Sequence, residues 1–400
     1  MSEERFYFCY GDTTPVLDEV IEAMIPFFKS KYGLASSDYG HSFGVEAAEA
    51  MNHARSTVAE SIGAKPEEII FTSGGTEANN LALKGIAYAA RKRNKGNHII
   101  TSKIEQSSIL DTCEALEKEG FQISYLDVDA SGFLKPQQVA AAIREDTILV
   151  TIQHGNGEIG TIQDIQAIGK ICRQQKVPFH TDAVQSFCKV PINVEEMNID
   201  LLTISAHLIY GPKGIGALYT RKGIRLAKLI HGGLYERNLR GGTENIPAII
   251  GFGKAVELHN WSNIEKIREL RQYLVQRITN EIEDVLVTGP EANRLPHVAS
   301  FVIHFIEGES LLLHLDMRGF SVATGSACST KKLKASHVLT ALGIPQEVSH
   351  GSLRMTLGLG NSKDGVDKLV EALKEVVERL REISPMNPEV MKKWQKTGEI

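Results

Sequence analysis

Between about residues 65 and 220, short β-branched runs alternate with stretches of helical periodicity, and this alternation constrains the fold more than any other feature of the chain. The runs fall at 69–71, 98–100, 148–150, 177–179, 201–204 and 217–219. Strands spaced by crossover helices predict a mostly parallel α/β sheet. Ligands of such sheets sit in the crevice beyond the carboxyl ends of the strands, so the residues that follow each run are the ones to inspect.

After residue 255 the texture changes to a charged helix around 264–282, strands near 299–305 and 319–323, and a last helix. Val366, Leu369, Val370, Leu373, Val376, Val377 and Leu380 give that helix one apolar stripe, and it should stop before Ser384-Pro385. The expected division is a large α/β domain over 15–255, a smaller α/β domain from 1–14 with 256–385, and a tail over 386–400. With 44 Lys and Arg against 49 Asp and Glu there is no basic field for nucleic acid. No apolar stretch reaches the roughly 18 residues of a membrane span, and the first residues have no apolar signal region, so a cytoplasmic protein off the membrane is expected. Cysteines 9, 113, 172, 188 and 328 are odd in number and form no C-x-x-C pair, which predicts reduced thiols rather than a disulfide framework or zinc knuckle.

Three segments could carry chemistry. Ser73-Gly74-Gly75-Thr76-Glu77 follows the first run and opens a helix, where backbone N–H groups and hydroxyls can cradle a phosphate; the same residues could equally be an ordinary helix cap. Asp182 follows the run at 177–179, with Gln185 close behind; a carboxylate there can hold a ring nitrogen protonated, or merely cap the next turn. Cys328 lies in Gly325-Ser326-Ala327-Cys328-Ser329-Thr330 with Lys331, Lys332 and Lys334 beside it, a setting that favours thiolate. It suits a sulfur carrier, a soft-metal ligand or a passive loop thiol.

Ser205-Ala206-His207-Leu208-Ile209-Tyr210-Gly211-Pro212-Lys213-Gly214 brings these segments under one pattern. Together with Phe71–Glu77, Glu158-Ile159-Gly160-Thr161-Ile162-Gln163, Arg240-Gly241-Gly242-Thr243-Glu244-Asn245, Glu307-Gly308-Glu309-Ser310 and Gly325-Ser326-Ala327-Cys328, the chain resembles cysteine desulfurases of the NifS/IscS group. These are pyridoxal phosphate (PLP) enzymes of the class V aminotransferase superfamily, and the likeness runs from about Tyr7 to Pro385. It implies a homodimer of the fold-type-I PLP transferase architecture. Thr76, Ser205 and His207 match phosphate contacts, Thr243 the contact lent by the second subunit, Asp182 the partner of the pyridine nitrogen, and Gln185 that of the ring hydroxyl. Arg354 matches the arginine that grips the substrate carboxylate, Asn156 a second substrate-side residue, and Cys328 the loop cysteine that carries persulfide.

The reactive centre departs from that pattern. Where the family has its Schiff-base lysine this chain has Leu208, where it has histidine stacked on the ring this chain has Gln106, and its second asparagine is Gly157. An alkyl chain cannot act as an amine nucleophile, and glutamine does not titrate. Further departures are Cys9, Asp12, Leu34 and the pair Leu234-Tyr235, while Lys213 belongs to a turn that active members share. The expectation is a catalytically degenerate relative, with PLP non-covalent if bound, acting in sulfur transfer or iron–sulfur cluster assembly. Cys328 could then donate a thiolate to a cluster on a scaffold partner. Three alternatives stay open: an active desulfurase using Asp12, Cys9 or Tyr235 as substitutes, a regulatory subunit of an intact homologue, and a collapsed pocket filled by Leu34, Leu208 and Leu234.

Overall fold

The computed structural model describes residues 5–325 and 335–384, so Cys328 and the 386–400 tail lie outside the described residues. In chain order the strands are β1 Phe6–Tyr7, β2 Ile69–Thr72, β3 His98–Ser102, β4 Gln122–Leu126, β5 Thr147–Thr151, β6 Phe179–Asp182, β7 Leu201–Ser205, β8 Gly216–Thr220, β9 Val285–Val287, β10 Val298–Ile303, β11 Phe320–Ser321 and β12 Ser352–Thr356. Strands β2 to β8 form one sheet in the order β2-β8-β7-β6-β5-β3-β4. β7, β6, β5, β3 and β4 run parallel, and β8 lies antiparallel between β2 and β7. This is the mostly parallel sheet that the alternation of runs predicts.

The strand residues behave as a sheet covered on both faces requires. Ile69 and Phe71 enter one hydrophobic core and Ile70 the opposite one, as the two-residue period of a strand dictates. β4 is the exception: its side chains are half-buried or exposed, because it is the edge of the sheet. Its mixed sequence, Gln122 to Leu126, carries no β-branched run and the pattern missed it. The strand expected at 177–179 starts at Phe179 instead, since Pro178 has no N–H to give and only its carbonyl joins the ladder, accepting from Val150 at 3.0 Å.

A second sheet, β12-β10-β9, is antiparallel and backs onto helices Trp261–Glu281 and Lys363–Ile383. The latter helix buries the whole predicted stripe from Val366 to Leu380, at roughly 1.5–3 kcal/mol per large side chain, and its N-cap Ser362 accepts from the Gly365 amide. Phe8 reaches this core from the N-terminal segment, where β1 pairs with β11. β12 places a site residue: its pleat sends Leu353 and Met355 into the core and leaves Arg354, opposite Ser300, on the other face. Among the described residues no helix is long and apolar enough to cross a membrane.

Candidate functional site

β2, β3, β6 and β7 end on one edge of the large sheet, and the segments that leave them converge on a polar pocket lined by Thr76, Asn79, Gln106, Asp182, Gln185 and His207. The topology alone brings together residues more than a hundred positions apart.

Asp182 closes β6 and is buried. Its Oδ1 accepts from the Val184 amide at 2.9 Å, the local bond a turn aspartate makes. Its Oδ2 accepts from Asn79 Nδ2 at 2.7 Å, a residue of the helix Gly75–Lys92, and no local turn accounts for that bond. Asn79 gives its other N–H to Ser108 Oγ at 2.8 Å. Burial raises the Asp182 pKa and these two hydrogen bonds pull it back. No Lys, Arg or His donor reaches the carboxylate among the described residues, so it is a buried acceptor suited to a cationic ring N–H. Gln185 stands similarly: Nε2 donates to the Gly11 carbonyl at 2.9 Å, and its buried Oε1 has no partner.

At the other end of the pocket the helix Gly75–Lys92 starts without a side-chain cap, its N-cap being Gly74 at φ 150°. The Thr76 hydroxyl is therefore not spent on capping, and the first-turn N–H groups face the pocket as an anion site. Glu77 secures the approach instead, accepting from the Ser73 amide at 2.8 Å and from Arg240 Nε at 3.1 Å. Ser205 Oγ and His207 Nδ1 are 2.9 Å apart, and burial followed by the charges of Lys189 and Lys213 lowers the His207 pKa. Thr243 is not in this pocket; it lines another one with Ser73 and Arg240. The buried acceptors, anion-binding helix end and donor cluster fit PLP.

The remaining wall includes Asp12, Gln106, Ser107 and Ser108. Leu208 is 1% exposed and lines a separate cavity, with Lys189 and His297, rather than the Asp182 pocket. No lysine is among the described residues that line the pocket. Lys213 is exposed and its Nζ lies 3.4 Å from the Thr14 carbonyl. Gln106 lines this pocket and the adjoining one that holds Arg354, Asn156 and Glu158. At Gly157 a Cβ would stand 2.7 Å from Gln185 Cδ, so no side chain fits there with Gln185 as placed. Asn156 is spent on its own loop: Nδ2 donates to the Ile104 carbonyl at 3.0 Å, and Oδ1 accepts the Glu158 and Ile159 amides at 2.9 Å each.

Arg354 is already held by an internal carboxylate, with Nη2 donating to Asp12 Oδ1 at 2.6 Å. Cys9 is buried, and desolvation followed by Asp12 pushes its thiol up to about 12, so it stays protonated. Tyr235 is half-buried and lies outside the pocket lining. Leu34 is half-buried and Leu234 is 80% exposed, so the two do not gather with Leu208, and a pocket filled by these three leucines is not what the chain forms.

Sequence reasoning passed over Asn79, Glu105 and Ser108. Asn79 could have been found, because it sits three residues after Thr76 on one face of the helix. Glu105 carried no such signal. It is fully buried, accepts from Ser102 Oγ at 2.6 Å and from the Gln153 amide, and burial pushes its carboxyl up to about 8. Among the described residues no three His, Cys, Asp or Glu side chains gather as a metal site.

A parallel sheet whose strand ends offer an anion site at one end and a buried carboxylate at the other is the architecture of PLP-dependent transferases, and the fold matches solved cysteine desulfurases. The chain belongs to the class-V aminotransferase family, which it matches over residues 6–369, and within it to the IscS/NifS cysteine desulfurase group. It is 51% identical over 390 residues to cysteine desulfurase IscS of Dictyoglomus turgidum, covering 97% of this chain and 98% of that one. The structure of a NifS-like protein superposes with a TM-score of 0.87 at 35% identity, covering 94% of this chain and all of the other. SspA in complex with cysteine superposes at 0.79 with 39% identity, over 88% and 98% of the two chains.

Proposed function

We infer that this member of a sulfur-transfer family keeps the PLP cradle and has lost the chemistry of desulfuration. The observation that carries the reading is Leu208, a buried hydrocarbon where the family's pattern has its lysine. Thr76, Ser205 and His207 would hold the phosphate, Thr243 would complete the site from a second copy of the chain, Asp182 would pair with the ring nitrogen and Gln185 with the ring hydroxyl. PLP bound there supplies an electron sink for carbanion chemistry at an amino acid.

The chain's own residues then do the following. Asp182, oriented by Asn79 and the Val184 amide, would pair with the ring nitrogen and orient the ring. Gln106 can hydrogen-bond but cannot move a proton, and Leu208 can neither anchor the cofactor covalently nor shuttle a proton. Asp12 occupies the guanidinium that would bind a substrate carboxylate, so an amino acid must displace it. The non-covalent cradle would serve as structure, and Cys328, outside the described residues, would serve as sulfur carrier or as a thiolate ligand shared with a cluster on a scaffold protein.

A homodimer fits the exposure of large apolar side chains in the helix Asp18–Lys29, in the turn at 38–40 and at Leu234, among them Phe28 at 64% and Tyr39 at 93%. Residues 15–255 would form the cofactor part, and 1–14 with 256–385 the part bearing Cys328. A cytoplasmic site of action and an intact homologue as alternative partner belong to the same reading.

Borohydride treatment of the protein loaded with PLP, followed by peptide mass measurement, tests it. The expected result is a cofactor that washes out, no pyridoxyl mass on any peptide, and no alanine formed from L-cysteine. A pyridoxyl-bearing peptide or alanine release would overturn it.

A further inference from the structure

The cavity that Leu208 does line is a separate feature, and its chemistry is one-sided. It lies where the large sheet's loops meet the second core, with Lys189 and Tyr210 on one side and His297 and Leu357 on the other. Among the described residues, no Asp or Glu lines it.

Four of the polar groups that face it are short of partners. Lys189 is buried, and the one hydrogen bond its ammonium makes among the described residues is to the Gln185 carbonyl at 3.3 Å, against a capacity of three. His297 is 1% exposed and neither ring nitrogen has a partner. His259 Nε2 is buried and unpaired as well. Tyr210 accepts the Leu359 amide at 2.7 Å, which leaves its O–H proton to donate. Tyr210 also holds φ at 65°, and Cys188, on the same wall, at 55°. Bulky residues rarely take that left-handed backbone, and such strain concentrates at binding sites. Buried donors left unmade destabilise a fold, so a set of them around one void points to an acceptor that fills it.

The rest of the wall sets the neutral side chains of Thr14, Asn260 and Asn263 among Leu208, Ile267, Leu357 and similar apolar ones, and an anion with an apolar body fits it best. The void is about 50 Å³, where one water needs roughly 10–15 Å³, so a head group and a few carbons are what it holds. We propose that this cavity binds a short aliphatic monocarboxylate, its head on Lys189 and His297 and its chain against Leu208, Ile267 and Leu357. The occupant bridges the two cores and does not depend on a cofactor being present.

Calorimetry and thermal melting of the full chain with butyrate, butylammonium and inorganic phosphate test this. Butyrate should bind saturably and raise Tm, butylammonium should do neither, and phosphate should bind at least tenfold more weakly than butyrate. Lys189→Met should weaken butyrate at least tenfold, whereas Asp182→Asn should leave its affinity unchanged, which separates this cavity from the cofactor pocket. Should Lys189→Met fail to fold, Leu208→Phe, which fills the void and spares the head-group residues, must abolish binding. No saturable butyrate binding, equal binding of phosphate, or affinity that survives both variants would overturn the proposal; ordered water alone in a crystal soaked with butyrate would do the same.

Discussion

The two ends of the Asp182 pocket differ in how their polar groups are engaged. At the anion end the helix Gly75–Lys92 starts without a side-chain cap, and the Thr76 hydroxyl and the mutually bonded Ser205–His207 pair belong to the segments that converge there. At the reactive end Leu208 faces another cavity, Asn156 bonds its own loop, and Arg354 Nη2 is clasped by Asp12. An open helix terminus at one end suits an anionic ligand, while at the other a substrate carboxylate would have to compete with Asp12 for Arg354. Binding and chemistry are separable parts of one site.

The sharpest way to break that contrast is to restore the reactive end. Leu208→Lys combined with Gln106→His returns an amine and a titratable ring, and since positioned acid–base groups are each worth about 10²–10⁴ in rate, alanine formation from L-cysteine should rise at least ~100-fold above the parent. A double variant that still yields no alanine would mean that position 208 keeps its side chain in the neighbouring cavity, or that the closure extends to Asp12 and Gly157. The next largest effect belongs to the preserved end. Asp182→Ala removes a charge-assisted contact worth roughly 1.5–3 kcal/mol, so PLP should bind about 10- to 150-fold more weakly by fluorescence titration. Unchanged affinity would place the ring elsewhere.

This contrast was only partly legible in the residues. The alternation of runs gave the parallel sheet, and strand-end logic put Asp182 and Ser205 at the pocket, because local pattern and topology agree there. Edge strand β4 and the register of β12 escaped, since half-exposed strands and cross-strand pairing leave no periodic trace. Asp12 was read as a departure from a motif, yet its meaning depends on a partner 342 residues away. Leu208 was read as facing the cofactor, and only the backbone turn after β7 decides that it lines the other cavity. Long-range hydrogen bonds and side-chain direction are products of packing, which a single sequence does not spell out.

The Asp12 clasp offers a smaller and more specific test. Asp12→Ala frees Arg354 Nη2, so L-cysteine should bind the cofactor-free protein about tenfold more tightly by calorimetry, in line with one charged hydrogen bond. The same affinity in both proteins would show that Arg354 is not directed at a carboxylate.

The last test concerns the buried carboxyl that precedes Gln106 and lines the adjoining pocket. Glu105 lies beneath Gln106 with its carboxyl pushed up to about 8 by burial, from an ordinary value of 4.5. A raised folded pKa means that the native state holds the proton more tightly, so the stabilisation is complete below the unfolded value and fades as pH climbs through about 8. Tm should therefore decline between pH 5 and 8, and Glu105→Gln, which keeps the shape and cannot ionise, should flatten that decline. The value of about 8 already includes the bonds from Ser102 Oγ and the Gln153 amide, which favour the ionised form, so the slope of Tm against pH is the readout. An unaltered slope in the glutamine variant would locate the titrating group elsewhere, with Glu158, raised to about 7 by burial, the first to replace.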